Sequence, residues 1–233
     1  MLKSVKVDVS GSSMSIELAT PETDGPFPGL ILCHHREGVD EFTLDAAKRL
    51  AASGYVVAVP NMYHRRLAEE GWQVSRKYLH DLEIVADIRA TAGLLMRQPS
   101  VRPDAIGIIG HCMGGRTAFL GAAILPLFKV AVMLYGGHIF KTEGQGMPPP
   151  IEFTKDIRAV MLGLYGKDDH VIGVEEVKRL DGELRRHNVK HEFHIYDNAG
   201  HAFQDFSRPD MYRKDASDDA WKRVITFLHK SFQ

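Results

Sequence analysis

A cysteine set among glycines is the residue of this sequence best suited to covalent chemistry. The stretch GIIGHCMGGRTA, residues 107–118, places Gly110, Cys112 and Gly114 in the G-x-S-x-G spacing of a nucleophile elbow, with sulfur replacing the serine oxygen. Such an elbow is a tight turn from a strand into a helix, and it requires small residues on either side. The helix N-terminus would favour the thiolate form of Cys112. The alternative is an inert buried thiol, since free cysteines often lie in protein cores.

Two further stretches carry the acid and the base that such a nucleophile requires. Asp169 lies in LYGKDDHVI and His201 lies in YDNAGHAF, and each follows a predicted strand. Nucleophile, acid and histidine occur in this chain order around such elbows, and ligand sites of open α/β sheets lie at the carboxyl ends of the strands. Taken singly, Asp168 and Asp169 are also typical turn residues, and any one of twelve histidines is more commonly a surface residue. Together, the three stretches predict that Cys112, Asp169 and His201 meet.

The elements that must position these residues alternate between strands and helices. A hairpin is predicted from 2–9 and 13–19, and strands are predicted at 28–35, 55–61, 105–110, 129–137, 158–166 and 190–197. Helices are predicted at 41–53, 77–97, 116–125, 173–187 and around 221–228. The helix at 77–97 is read from one apolar stripe, formed by Leu82, Val85, Ile88, Ala92, Leu95 and Met96.

This alternation predicts an α/β fold with a mainly parallel central sheet and helices on both faces. No composition break or repeat divides the chain, so residues 1–233 are expected to form one domain. The loop at 136–156 is too short to hold a separate cap domain.

Composition and charge exclude several classes of function. The formal net charge of −1 favours neither a nucleic acid nor a membrane surface as partner, and the longest apolar run is too short to span a bilayer. Because Cys33 and Cys112 are the only cysteines, we expect no disulfide framework and a cytoplasmic location. No metal or cofactor is expected, since His34 and His35 would point to opposite sides of a strand and no zinc, calcium, phosphate-loop or dinucleotide pattern occurs.

At these motifs the sequence resembles the dienelactone hydrolase family of α/β-hydrolases, over about residues 3–230. The resemblance is carried by GHCMGG at the elbow, GKDDHV in the acid loop, AGHAF in the histidine loop, VAVPNMY at 57–63 and YGG at 135–137. It implies the α/β-hydrolase fold without a cap domain and a catalytic triad of Cys112, His201 and Asp169. It also implies an oxyanion hole formed by the backbone N–H groups of Met113 and Arg36.

Three positions near the implied site differ from that family pattern or bear on it. His35 stands where the dienelactone enzyme has a glutamate that partners the resting cysteine, and Glu37 lies two residues further on. Whether His35 or Glu37 tunes the thiol is left open by the sequence. Asp205 stands where that enzyme has an arginine for the substrate carboxylate, and an aspartate there would repel such a group, which argues against this mode of recognition.

Aromatic and basic residues supply candidates for substrate contacts. The candidates for the acyl pocket, each equally explained by core packing, are Tyr63, Trp72, Tyr135, Ile139 and Phe203. The conceivable replacements for the missing arginine, all of them also ordinary surface residues, are Arg36, Arg65, Arg66 and Arg76.

The predicted function is hydrolysis of a small-molecule carboxylic ester or lactone through a thioester acyl-enzyme on Cys112. A broader carboxylesterase or a thioesterase is the neighbouring alternative. The alternative of a different class is a non-catalytic member of the fold, which binds an acyl ligand or senses redox state through Cys112. The sequence favours neither a particular natural substrate nor an oligomeric state.

Overall fold

An eight-stranded sheet runs through the centre of the molecule. The structure is a computed structural model that describes residues 1–66 and 68–233. The strands are β1 (Leu2–Val9), β2 (Ser12–Ala19), β3 (Phe27–Cys33), β4 (Val56–Pro60), β5 (Val101–His111), β6 (Val130–Leu134), β7 (Val160–Gly166) and β8 (His191–Tyr196). They lie in the order β1-β2-β4-β3-β5-β6-β7-β8. The first two strands pair antiparallel, β2 pairs antiparallel with β4, and all later pairs are parallel, which confirms the mainly parallel sheet.

Helices cover both faces of this sheet, as the alternation predicts. The helices are α1 (Glu41–Ala52), α2 (Gly71–Lys77), α3 (Asp81–Met96), α4 (Met113–Ile124), α5 (Val174–Arg186) and α6 (Lys214–Phe232). Apolar residues of α3, α4 and α5 pack on one face, and those of α1 and α6 pack on the other. Successive strand residues therefore contribute to opposite cores: Ile31 belongs to the first and Leu32 to the second. Because both faces are covered, the central strands read as continuous apolar runs.

The helix predicted at 77–97 is shorter than its pattern suggests. Its first residue, Lys77, ends the separate helix α2, and His80 has an extended backbone, so α3 begins only at Asp81. Leu82 and Met96, which the periodicity assigned to the buried stripe, are 53% and 43% exposed. The reason is Asp81: its buried carboxylate turns the first residue of α3 toward the interior, so the next side chain faces outward.

The segments that follow the strands build the rim on which the functional residues lie. β3 ends at Cys33, two residues before the end of its predicted range, so His34 and His35 belong to the loop that follows. Residues 135–159, between β6 and β7, contain a 3-10 helix at Pro150–Asp156. In the described part of the chain, no helix combines the length and apolarity that crossing a membrane requires.

Candidate active site

Cys112 occupies the turn between β5 and α4 with an unusual backbone conformation. Its φ of 54° and ψ of −117° belong to a region that residues other than glycine seldom adopt. Two backbone hydrogen bonds hold this turn: the Cys112 N–H donates to the Leu134 carbonyl at 2.9 Å, and the Cys112 carbonyl accepts from the Gly115 N–H at 2.9 Å. The thiol is thus presented at the carboxyl end of β5 by a backbone that is fixed on both sides.

The glycines of the motif are required by close contacts between backbone segments. A Cβ atom on Gly110 would lie 2.2 Å from the Gly114 carbonyl oxygen. A Cβ atom on Gly114 would lie 2.1 Å from the Cys33 carbonyl oxygen. Both distances are far below van der Waals contact, so any larger residue would force the elbow to move.

The structure brings the three residues from distant stretches into one hydrogen-bonded chain. The His201 Nε2 lies 3.0 Å from the Cys112 Sγ, and the His201 Nδ1 lies 2.8 Å from the Asp169 Oδ2. The other Asp169 oxygen accepts from the backbone N–H groups of Val171 and Ile172, at 2.7 and 2.9 Å. Asp169 follows β7 and His201 follows β8, so all three side chains lie at the same edge of the sheet.

The electrostatic surroundings of His201 favour its protonated form. Burial lowers the pKa of this imidazole, but the hydrogen bonds to Asp169 and Cys112 outweigh burial and raise the pKa to about 9. At neutral pH the ring therefore carries a proton on each nitrogen, with one N–H directed at the carboxylate and the other at the sulfur.

Two residues that line the cavity with the thiol have backbone N–H groups without an acceptor in the described part of the protein. Met113 is the first residue of α4, where N–H groups lack intrahelical partners, and Arg36 lies in the loop after β3. Within residues 1–66 and 68–233, neither N–H donates a hydrogen bond to the protein. The Tyr63 hydroxyl donates to the Arg36 carbonyl at 2.7 Å and so helps to fix this loop. Both residues line the same cavity as Cys112.

This cavity has a volume of about 290 Å³, and the reactive thiol forms part of its floor. Of the candidate acyl-pocket residues, Trp72 and Tyr135 line it. Phe203 and Ile139 are fully buried in the core, where Phe203 packs edge-on against Tyr135 at 5.4 Å between ring centroids. Tyr63 contacts the Arg36 loop from outside the cavity lining.

We use the name cavity wall for the side chains that enclose this space above the thiol, which are Arg36, Trp72, Arg76, Arg116 and Glu143. Arg116 forms a buried ion pair with Asp81, and Arg76 pairs with Glu143. Arg116, Glu143 and Asp81 were not predicted from the sequence. A signal existed for Arg116, which follows Cys112 by one helical turn and therefore shares its face of α4, whereas Glu143 lies in a loop without periodicity.

Asp205 does not line the cavity, contrary to the repulsive role expected from its position. Its carboxylate is buried and lies 3.1 Å from the Arg208 Nε, and it also accepts from the Ser207 backbone N–H at 3.0 Å. The other end of Arg208 pairs with Glu37 at 2.5 Å. The negative charge of Asp205, which was expected to face the substrate, is therefore neutralised by an ion pair with Arg208.

His35 and Glu37 interact with each other and not with the resting thiol. The His35 Nδ1 lies 3.1 Å from Glu37, and its Nε2 lies 2.8 Å from Asp40. Burial raises the pKa of Glu37, but hydrogen bonds from Arg36 and Arg208 and the electrostatic attraction of His35 outweigh it, so the net effect is a lowered pKa and Glu37 stays ionised. The hydrogen-bond partner of Cys112 is instead His201.

A larger cavity, of about 810 Å³, lies at the opposite edge of the sheet. Its lining includes Lys129, Arg158 and Lys190, which lie just before β6, β7 and β8. Open parallel sheets bind ligands at the carboxyl ends of their strands, and the nucleophile lies at that edge, so the smaller cavity is the candidate active site. Among the described residues, no group of three or more histidine, cysteine or acidic side chains is arranged to hold a metal ion.

Known proteins are similar to this chain over most of its length. The sequence model of the dienelactone hydrolase family matches residues 14–232. A Synechocystis protein provisionally named carboxymethylenebutenolidase is 29% identical over 235 residues, covering 96% of this chain and 95% of that protein. An Escherichia coli K12 protein with the same provisional name is 32% identical over 226 residues, covering 94% and 83%. A crystal structure from Klebsiella pneumoniae, provisionally named a dienelactone hydrolase, matches with a TM-score of 0.87 at 28% identity, covering 98% and 99%.

Proposed function

Because the chain belongs to the dienelactone hydrolase family, we propose that it hydrolyses carboxylic esters or lactones with Cys112 as nucleophile, His201 as proton carrier and Asp169 as the group that orients the histidine. One observation carries this proposal. It is the unbroken chain of hydrogen bonds from Asp169 through His201 to the Cys112 sulfur, on the floor of a cavity. A buried structural thiol has no need of such a chain.

The first half of the reaction forms a thioester. The Cys112 proton passes to His201, which then carries a proton on each nitrogen, and the sulfur attacks the carbonyl carbon of the substrate. The N–H groups of Arg36 and Met113 stabilise the oxyanion that develops, and a single donor of this kind is worth about 3 kcal/mol of barrier. The carbon–oxygen bond to the leaving group then breaks, and His201 gives the Nε2 proton to the departing oxygen. In a lactone this oxygen stays attached to the acyl group.

The second half restores the enzyme. The now neutral His201 accepts a proton from water, and the hydroxide equivalent attacks the thioester carbon. The carbon–sulfur bond breaks, which releases the carboxylic acid and returns the thiolate to its imidazolium partner. Asp169 keeps the ring in the required orientation throughout, because its second oxygen is held by two backbone N–H groups.

The cavity volume of about 290 Å³ suits a small acyl group. The provisional name of the relatives specifies a butenolide, which is a lactone, and we extend the lactone class to this chain. A thiolate is a good leaving group, so esters and enol-lactones fit this chemistry better than amides. A free thiol nucleophile also suits a reducing compartment such as the cytoplasm.

The test compares wild type with Cys112→Ala and His201→Gln, using 4-nitrophenyl acetate and dihydrocoumarin as substrates. We expect both variants to lose at least about 10³-fold in kcat/KM, because the nucleophile or its proton carrier is missing. His187→Gln, a substitution of the same kind at the exposed C-terminal end of α5, should match wild type. Iodoacetamide should modify Cys112 at neutral pH, as located by mass spectrometry, and leave the buried Cys33 intact.

Turnover in Cys112→Ala at the wild-type rate would reject the proposed nucleophile. Rapid alkylation of Cys112 in a wild-type protein that hydrolyses none of the esters, thioesters and lactones tested would instead favour a thiol sensor.

A further inference from the structure

The cavity wall contains three arginines, and each is already matched by a carboxylate. An arginine free to donate two parallel hydrogen bonds is the usual anchor for a substrate carboxylate. Whether Arg36, Arg76 and Arg116 can serve as such anchors therefore depends on the partners that they already have.

Arg116 has little left to offer a ligand. Its side chain is 2% exposed and pairs with both oxygens of Asp81, at 2.5 and 3.0 Å. Further N–H groups donate to the carbonyl oxygens of His138, at 3.2 Å, and Lys141, at 2.7 Å. Four of the five guanidinium donors are thus used within the protein.

Arg76 is occupied by Glu143, which lies between two guanidinium groups. One Glu143 oxygen accepts from Arg76 and lies 3.7 Å from the Arg116 Nε. The backbone holds Glu143 in place, since its N–H donates to Asp81 at 3.1 Å and its carbonyl accepts from the Asp81 N–H at 3.0 Å. The Glu143 side chain is 11% exposed, so solvent screens its charge only weakly. A substrate carboxylate next to Arg76 would meet this negative charge.

Arg36 is paired as well, with the acidic residue that follows it in the chain. Its Nε donates to Glu37 at 2.8 Å, and its guanidinium lies over the Trp72 ring at 5.2 Å from the centroid. Glu37 also pairs with Arg208, which is balanced by Asp205. Four arginines in and beside the wall therefore face four carboxylates, and burial lowers the pKa of His138, which adds no positive charge at neutral pH.

From these pairings we infer that the cavity selects esters or lactones whose acyl group carries no free carboxylate, with Glu143 as the specificity-determining residue. The inference rests on the proposed function and narrows its substrate class. Trp72, Tyr135 and Val171 provide apolar surface for an uncharged acyl group. Glu143 excludes an anion by holding Arg76 and by placing its own charge beside the space that the anion would take.

The experiment compares two substrates matched in size, which are mono-4-nitrophenyl adipate and its terminal carboxamide. We expect wild type to hydrolyse the carboxamide with a kcat/KM at least about tenfold higher. Glu143→Gln removes the competing charge and frees Arg76, so it should raise kcat/KM for the carboxylate about tenfold and change the carboxamide value less than threefold. Glu152→Gln, at an exposed site in the same loop, is the control and should leave the ratio unchanged.

A second variant keeps the inference testable if Glu143→Gln folds poorly. Arg76→Gln removes the nearer of the two guanidinium groups that balance the Glu143 charge. It should therefore lower kcat/KM for the carboxylate further, with little effect on the carboxamide. A wild-type preference for the carboxylate, or ratios that neither variant moves, would overturn the inference. Cys112→Ala is measured in parallel. If it hydrolyses both substrates as wild type does, the proposed nucleophile is rejected. If Cys112→Ala is inactive but wild type hydrolyses the carboxylate and the carboxamide with equal kcat/KM, only the selectivity is rejected.

Discussion

Two regions meet at the cavity, and they are held in different ways. The reactive corner, which is Cys112, His201 and Asp169, is fixed by backbone: the elbow by hydrogen bonds and glycine contacts, and the acid by two N–H groups. The cavity wall is held by ion pairs between charged side chains from α2, α3, α4 and the loops. The chemistry of the corner thus depends on the chain path, while the selectivity of the wall depends on side chains that single substitutions can exchange.

This difference predicts two kinds of kinetic effect. A change in the reactive corner should slow every substrate by a similar factor, because all of them use the same nucleophile. A change in the wall should alter the ratio between charged and uncharged substrates. The adipate ester and its carboxamide therefore serve as the substrate pair on which each variant is measured.

The largest effect is expected for Asp169→Asn. Loss of the carboxylate removes the charge that orients His201 and raises its pKa, so kcat/KM should fall by about 10³-fold for both substrates. The imidazolium is lost as pH rises through the His201 pKa of about 9, so a lower pKa should move the alkaline limb of the pH profile to lower pH. Asp168→Asn, at the exposed neighbouring position, should keep the wild-type profile. An alkaline limb that stays in place in Asp169→Asn would contradict the assignment of that limb to His201.

Gly114→Ala should have the next largest effect. The added Cβ would lie 2.1 Å from the Cys33 carbonyl oxygen, so the elbow must shift and the thiol moves away from His201. We expect kcat/KM to fall by about 10²-fold for both substrates and the free energy of unfolding to fall by about 2 kcal/mol, measured by urea denaturation.

Gly182→Ala is the matched control, because its added Cβ meets no atom within 4 Å on α5. It should leave the kinetics unchanged and raise stability by about 0.5–1 kcal/mol. Normal kinetics in Gly114→Ala would show that the reactive corner tolerates backbone movement.

The smallest effect is expected for Tyr63→Phe. The variant loses the hydrogen bond from the hydroxyl to the Arg36 carbonyl, worth about 1 kcal/mol, which corresponds to a roughly fivefold lower kcat/KM. Both substrates should slow equally, because the bond positions the Arg36 N–H rather than its guanidinium. Tyr78→Phe, at a more exposed tyrosine, is the control. If the ratio between the two substrates changed while the carboxamide rate did not, Tyr63 would act on charge selectivity, as the cavity wall does, and not on the oxyanion donor.

Site residues could be predicted from the sequence where local steric constraints or the ends of strands determine their position. Gly110 and Gly114 were predicted because a tight turn leaves no room for a side chain, and His201 and Asp169 were predicted because residues after parallel strands share one edge. The Asp81–Arg116 pair was missed, since its members are 35 residues apart and no periodic pattern links them. Leu82 was misplaced because periodicity assumes an apolar inward face, whereas the buried Asp81 takes that face.

Asp205 illustrates a further limit. The family resemblance puts Asp205 at the position of an arginine that binds the substrate carboxylate, which implied a place in the cavity, but Ala202 has a φ of 58°, which bends the loop. The carboxylate is instead buried against Arg208. Spacing predicts direction within a helix or strand, but it does not do so across a loop whose path is set by tertiary ion pairs.

The stacking of Arg36 on Trp72 has an optical consequence. The chain has two tryptophans, and each lies beneath a guanidinium group, at 5.2 Å for Trp72 and 5.5 Å for Trp221. Only the first of these indoles borders the space that a ligand would enter. The emission of Trp72 is therefore an intrinsic measure of cavity occupancy. Trp221, which is stacked in the same manner on α6 and lies outside the cavity lining, serves as an internal reference.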